Sequence, residues 1–298
     1  MGAYRNLFLL HLVVLIFGFT GVLGKLVSVD AMTMVWHRML IAALVIALVL
    51  LLLGKLRHTP RAKVVRYLLT GLLIAAHWST FFGSIKASTV SIALVCVSCG
   101  AAFTALLEPL FFRRSVRAYE LALAGSVIVG IGLVFSFETD YALGIALGVT
   151  SAFLAALFSV INAGFIREDS SSNIAMWEML GGVLGLTLLL ATLGRLDASL
   201  VMLSLADYLW LLVLGVVCTA FAFVAVVEVM KELTPFTVNL SINLEPVYGI
   251  IMALLIFGSE ERLSGPAYLG MVIILAAVSI ETWLKQRHKR RQIPVNPA

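Results

Sequence analysis

Runs of about twenty apolar residues, parted by short polar breaks, recur along the whole chain. A helix of that length crosses the ~30 Å hydrocarbon core of a bilayer, and a run of such segments leaves little choice of fold class. Soluble domains are about a quarter charged, whereas here only 12% of 298 residues are charged, 61% are hydrophobic and the mean hydropathy is +1.07. The expected fold is an all-α integral membrane protein. Ten spans are read at 6–27, 33–53, 64–85, 88–107, 116–136, 142–165, 174–194, 206–229, 235–257 and 264–285. The first resembles a secretory signal, but it is long for one and no small-x-small cleavage site follows it.

Basic residues test the count, because cytoplasmic connections carry the excess of Lys and Arg. With both termini inside, 16 of the 21 Lys and Arg fall on the cytoplasmic side, including the Lys285–Arg291 cluster; Lys25, Lys86, Arg195 and Arg262 fall outside, and Arg38 lies within a span. An even number of spans with both ends cytoplasmic is the favoured topology. The +5 net charge is then a membrane-surface feature that calls for no nucleic acid.

The chain also matches itself. An offset of 145 residues lays Lys86 on Lys231, Thr89 on Thr234, Phe103 on Tyr248, Phe112 on Phe257, Gly125 on Gly270 and Ile128 on Ile273 without a gap. An offset of 140 lays Met39-Leu40 on Met179-Leu180. Two five-helix units are expected, 1–138 and 139–285, followed by a basic cytoplasmic tail, 286–298. Five is odd, so the second unit enters the membrane inverted, an architecture that places a substrate site near mid-membrane between the halves.

Polar residues at depth are costly and normally face the bundle interior. The candidates for substrate contact are His77, Trp78, Asn162, Asn243, Glu245 and Tyr248. Glu245 sits in the stretch SINLEPVYG, where Pro246 cannot bond the carbonyl of Ile242 and is expected to kink a helix running from Pro235 to Phe257. Helical spacing puts Thr237, Ser241, Glu245 and Tyr248 on one face and Asn239, Asn243 and Pro246 nearly opposite. Either that carboxylate handles substrate or protons, or it ties two helices together. Arg38 beside Trp36, and Glu178 beside Trp177, occupy equivalent positions of the two units, which suggests a charge pair or gate. Gly144, Gly148, Ala152 and Ala156, like Gly181 and Gly185, are spaced for close helix packing. Cys96, Cys99 and Cys218 read as small packing residues, since a lone C-x-x-C lacks the ligands of a structural metal site.

Thr89-Val-Ser-Ile-Ala-Leu in the first unit, and Thr237 through Gly249 in the second, resemble the EamA branch of the drug/metabolite transporter superfamily. The resemblance implies an inner-membrane carrier working by alternating access, often an exporter of amino acids or related metabolites. It comes nearest to the aromatic amino acid exporter type. Two departures stand out: Ala101 replaces a proline common in the first half, and Arg113-Arg114-Ser115 stands where a Gly-Glu pair is common. The helix kinks of the two halves are therefore expected to differ.

The expected function is facilitative or proton-linked export of small metabolites, with the lipid bilayer and a small-molecule substrate as partners and no cofactor. Export of cationic aromatic drugs is the alternative. Exchange of phosphorylated sugars fits less well, since multiple phosphates demand several deep cations and only Arg38 qualifies. No nucleophile and base occur at catalytic spacing, so no enzyme is expected.

Overall fold

The computed structural model describes residues 2–56, 58–113, 115–166, 168–222, 225 and 241–291. These residues are helical with no strand among them, and eight helical segments are long and apolar enough to cross a membrane. In chain order the helices are α1 (Gly2–Leu26), α2 (Ala31–Leu52), α3 (Arg61–Ala87), α4 (Val90–Val97) and α5 (Gly100–Phe112), these last two together making one of the eight, α6 (Ala118–Phe137), α7 (Ala142–Phe165) and α8 (Ser171–Thr192). Then come α9 (Leu205–Leu212), which continues as a π-helix over Val213–Phe221, α10 (Glu245–Phe257) and α11 (Gly265–Arg291).

Local chemistry sets these ends. Asp30 caps α2 by accepting the Met32 and Thr33 N–H groups, and Ser170, 140 residues on, caps α8 by accepting that of Asn173. Both helices run 22 residues and close on a glycine in the left-handed region, Gly54 at φ +61° and Gly194 at φ +66°. A side chain is strained there, which is why glycine ends helices this way. The same correspondence recurs at an offset of 145: α5 and α10 each run 13 residues, and Arg113 (φ +50°) ends the first where Gly258 (φ +62°) ends the second.

The fourth run of each unit meets one expectation and changes another. The break expected within 235–257 falls just ahead of Pro246. Residues 243–244 form a turn, α10 starts at Glu245, and Pro246 stands in its first turn, where a missing N–H costs nothing. The face that would have aligned Ser241 with Glu245 and Tyr248 is thereby interrupted, while Thr237 and Asn239 lie outside the described residues. The expected difference in kinks is also absent at this position. The first unit breaks at Ser98-Cys99, between α4 and α5, exactly 145 residues before Asn243-Leu244 and without a proline. Ser98 Oγ donates to the Leu94 carbonyl at 2.8 Å, a side-chain bond of the kind that bends helices.

Contacts between connections sort them onto two faces. On one, Lys25 pairs with Glu261 at 2.9 Å, Asp207 accepts from the Ser28 N–H and hydroxyl at 2.7 Å each, Arg195 meets Asp30 at 2.5 Å, and the Ser264 N–H donates to Glu138 at 2.7 Å. On the other, Glu168 faces Lys63 at 3.5 Å and Arg66 at 3.4 Å, and Asn173 Nδ2 donates to Thr59 at 2.8 Å. Between these faces α3 packs along α7 and α8, α2 along α8, α1 along α10 and α6 along α11. The α3–α8 seam rests on Gly71 and Gly181, where any Cβ would strike the backbone of the opposite helix.

Candidate functional site

A cavity of about 180 Å³ lies between α1, α2, α3, α7, α8 and the π-helical segment. Its polar lining is Arg38, Asn162, Glu178 and Thr219, and its aromatic walls are Phe17, Trp78 and Phe158. Arg38 is 5% exposed and Glu178 4% exposed, so both charges are withdrawn from solvent.

The Arg38 guanidinium is held on two sides. Its Nε–H donates to Thr219 Oγ1 at 2.9 Å, and its carbon lies 3.8 Å from the centre of the Trp78 ring, a cation–π contact. Nη1 has no hydrogen-bond partner. Across the cavity the Asn162 side chain lies beside the Glu178 carboxyl. Glu178 Oε1 and Asn162 Oδ1 are likewise without a partner. Arg38 and Glu178 line one cavity without forming an ion pair.

The remaining sequence candidates lie elsewhere. His77 points into the α3–α7 seam, its Nδ1 2.8 Å from Ser151 Oγ and 2.9 Å from the Ser151 carbonyl, with its ring on Phe158. Asn243 Nδ2 donates to Thr282 Oγ1 at 2.9 Å, joining the turn before α10 to α11. Tyr248 OH meets His11 Nδ1 at 3.0 Å across the α1–α10 contact. Glu245 starts α10, near enough to Arg38 for their charges to interact, and does not line the cavity. Trp36 donates its ring N–H to Thr187 at 2.8 Å and Trp177 to Thr59 at 3.3 Å, so both indoles fasten α8 to its neighbours and neither lines the cavity.

Thr219, Cys218, Phe17 and Phe158 are cavity residues that periodicity does not single out. The π winding explains Thr219. Its hydroxyl donates to the Leu214 carbonyl five residues back, at 2.8 Å, and such windings gather at functional sites. A larger space of about 900 Å³ lies against α2, α3 and α8, but the exposed Leu44, Leu48 and Leu51 that line it put it on the outside of the bundle. Among the described residues no three His, Cys, Asp or Glu side chains gather as metal ligands.

The EamA-like transporter family matches residues 5–136 and again 142–282. The chain belongs to that family. It is therefore a multi-pass membrane transporter of the drug/metabolite type, built of two matching repeats and acting on a small molecule. A solved structure described only as a crystal structure of a protein superposes with a TM-score of 0.63 at 15% identity, covering 94% of this chain and 98% of its own. At that identity the likeness shows a shared fold alone. No curated protein matches the transporter significantly.

Proposed function

We propose that this transporter exports amino acids or closely related metabolites by alternating access, through the cavity between α2, α3, α7 and α8. The observation that carries the reading is one small cavity to which the described residues bring one basic side chain, Arg38, and one acidic side chain, Glu178, beside aromatic walls. A drug-sized ligand needs roughly 300–1,000 Å³, so about 180 Å³ suits a metabolite better. The guanidinium in that space also repels a cationic drug, and one cation is too few for a sugar phosphate.

In this reading ten crossings form two inverted five-helix units, 1–138 and 139–285. The repeated helix lengths and caps support the duplication, and α1 ending on the Glu261 face while α7 ends on the Glu168 face supports the inversion. The Glu168 face, with Lys55, Arg61, Lys63, Arg66, Arg113 and Arg117, is cytoplasmic, as are both termini and the 286–298 tail, and the membrane is a bacterial-type inner membrane. The function is transport rather than catalysis.

Counterflow into liposomes carrying the purified protein tests this, using labelled amino acids and cationic dyes with and without a pH gradient. Saturable exchange of amino acids is expected, and acceleration by the gradient would identify proton linkage. Movement of dyes alone would replace the reading with drug export.

A further inference from the structure

Three residues that line the cavity each bury a polar atom without a hydrogen-bond partner: Nη1 of Arg38, Oε1 of Glu178 and Oδ1 of Asn162. Burying one unpaired ion is expensive, and a fold that buries two of opposite sign would ordinarily bring them together. Here they are kept apart. The Arg38 side chain is committed to Thr219 and stacked on Trp78, and Glu178 has Asn162 at its side. Glu245, at the start of α10, is the acidic group close enough to act on Arg38, yet Nη1 still lacks a hydrogen-bond partner, as does Oε1 of Glu178; a ligand carrying one charge of each sign would supply both partners.

We propose that Arg38 and Glu178 are the two ends of a zwitterion receptor, with an α-amino acid lying between them. Its carboxylate sits on the Arg38 guanidinium, and its ammonium group on the Glu178 carboxylate and the Asn162 amide oxygen. The side chain rests against Phe17 and Phe158, which close the cavity to anything much larger than one amino acid. The proposal rests on the transport reading above and adds to it a recognition rule: both charges of the ligand are required.

The axis of the ligand follows as well. Arg38 stands eight residues beyond the cap of α2 on the Glu261 face, and Glu178 eight residues beyond the cap of α8 on the Glu168 face. The carboxylate therefore points toward the Glu261 face and the ammonium group toward the Glu168 face.

The test is competition against counterflow of labelled phenylalanine in liposomes by three probes of one skeleton: unlabelled phenylalanine, phenethylamine, which lacks the carboxylate, and 3-phenylpropionate, which lacks the amine. Only phenylalanine is expected to compete with the wild type. Each charge-assisted hydrogen bond supplies roughly ten- to hundred-fold of affinity, so Glu178→Gln and Arg38→Gln should each weaken phenylalanine by about that factor. Glu178→Gln should also admit phenylpropionate, and Arg38→Gln phenethylamine. The wild-type comparison depends on no variant folding, and if either single-charge probe competes as well as phenylalanine the proposal is overturned. If phenylalanine moves and both folded variants still select the zwitterion alone, the receptor assignment fails while the transport reading stands. If no amino acid moves at all, the transport reading itself fails.

Discussion

The Arg38 guanidinium and the Glu178 carboxyl line one cavity from helices capped at opposite ends of the bundle, at positions 140 residues apart in sequence and equally distant from the caps of their helices. At 1.5 Å per residue each α-carbon lies about 12 Å inside its own face. The two side chains thus flank the middle of the bundle, and in the proposed reading whatever steadies either one bears on what the cavity selects.

Trp78 steadies Arg38 from below at 3.8 Å. Trp78→Leu keeps the charge and removes the ring face, a contact worth about 0.5–2 kcal/mol. The half-saturating concentration for amino acid counterflow should rise by roughly 2- to 30-fold, with the Thr219 contact left in place. An unchanged value would mean that the stacking does not position the guanidinium.

His77 and Ser151 make a different kind of contact, a closed set of hydrogen bonds inside the α3–α7 seam. Ser151→Ala removes the hydroxyl that meets the imidazole and the His77 carbonyl but keeps the main-chain carbonyl that bonds Nδ1, a loss of about 0.5–1.5 kcal/mol. A lower Tm in detergent is expected, while the ranking of amino acids in competition assays is preserved. A changed ranking with an unchanged Tm would put this pair in the substrate path.

On the Glu261 face, the fully buried Glu261 carboxylate pairs with Lys25 and accepts from the N–H groups of Val90 and Ser91, joining α1, the start of α4 and the α10–α11 connection. Glu261→Gln weakens this tie by about 1.5–3 kcal/mol. Cys218, which is 1% exposed and lines the cavity, is a built-in reporter. With Cys96 and Cys99 replaced by serine, an impermeant maleimide added on the Glu261 side should label Cys218 at least several-fold faster in the Gln variant. Equal rates would show that Glu261 holds the fold together without controlling access.

Asp30 predicts a pH dependence. Burial pushes its carboxyl up, but the Thr33 hydroxyl and the Arg195 guanidinium outweigh burial and hold it below the ordinary value of 3.8. A depressed folded value contributes stability that is full above 3.8 and is lost as pH falls through the folded value. The contribution is small because both partners are half exposed. Melting curves between pH 6 and pH 3 should show a drop at the acid end that Asp30→Asn flattens; the same drop in both proteins would assign it to other carboxylates.

The sequence by itself determined the class of fold and most helix ends, because a bilayer demands long apolar segments and caps are local chemistry. Asp30, Ser170, Gly54 and Gly194 can be read where they stand, and so can the duplication that makes Arg38 and Glu178 equivalent. Only the tertiary structure decided which polar groups meet. In a soluble helix one apolar face points to the core, but here lipid and core are both apolar, so periodicity carries little information about which side faces inward. His77 and Glu178 look alike in sequence as lone titratable groups in apolar runs, yet Ser151 satisfies the first, while the second opens into the cavity. Thr219 was hidden for another reason. Its place beside Arg38 depends on a π winding that a 3.6-residue repeat does not contain, and only packing among α2, α3 and α9 reveals it.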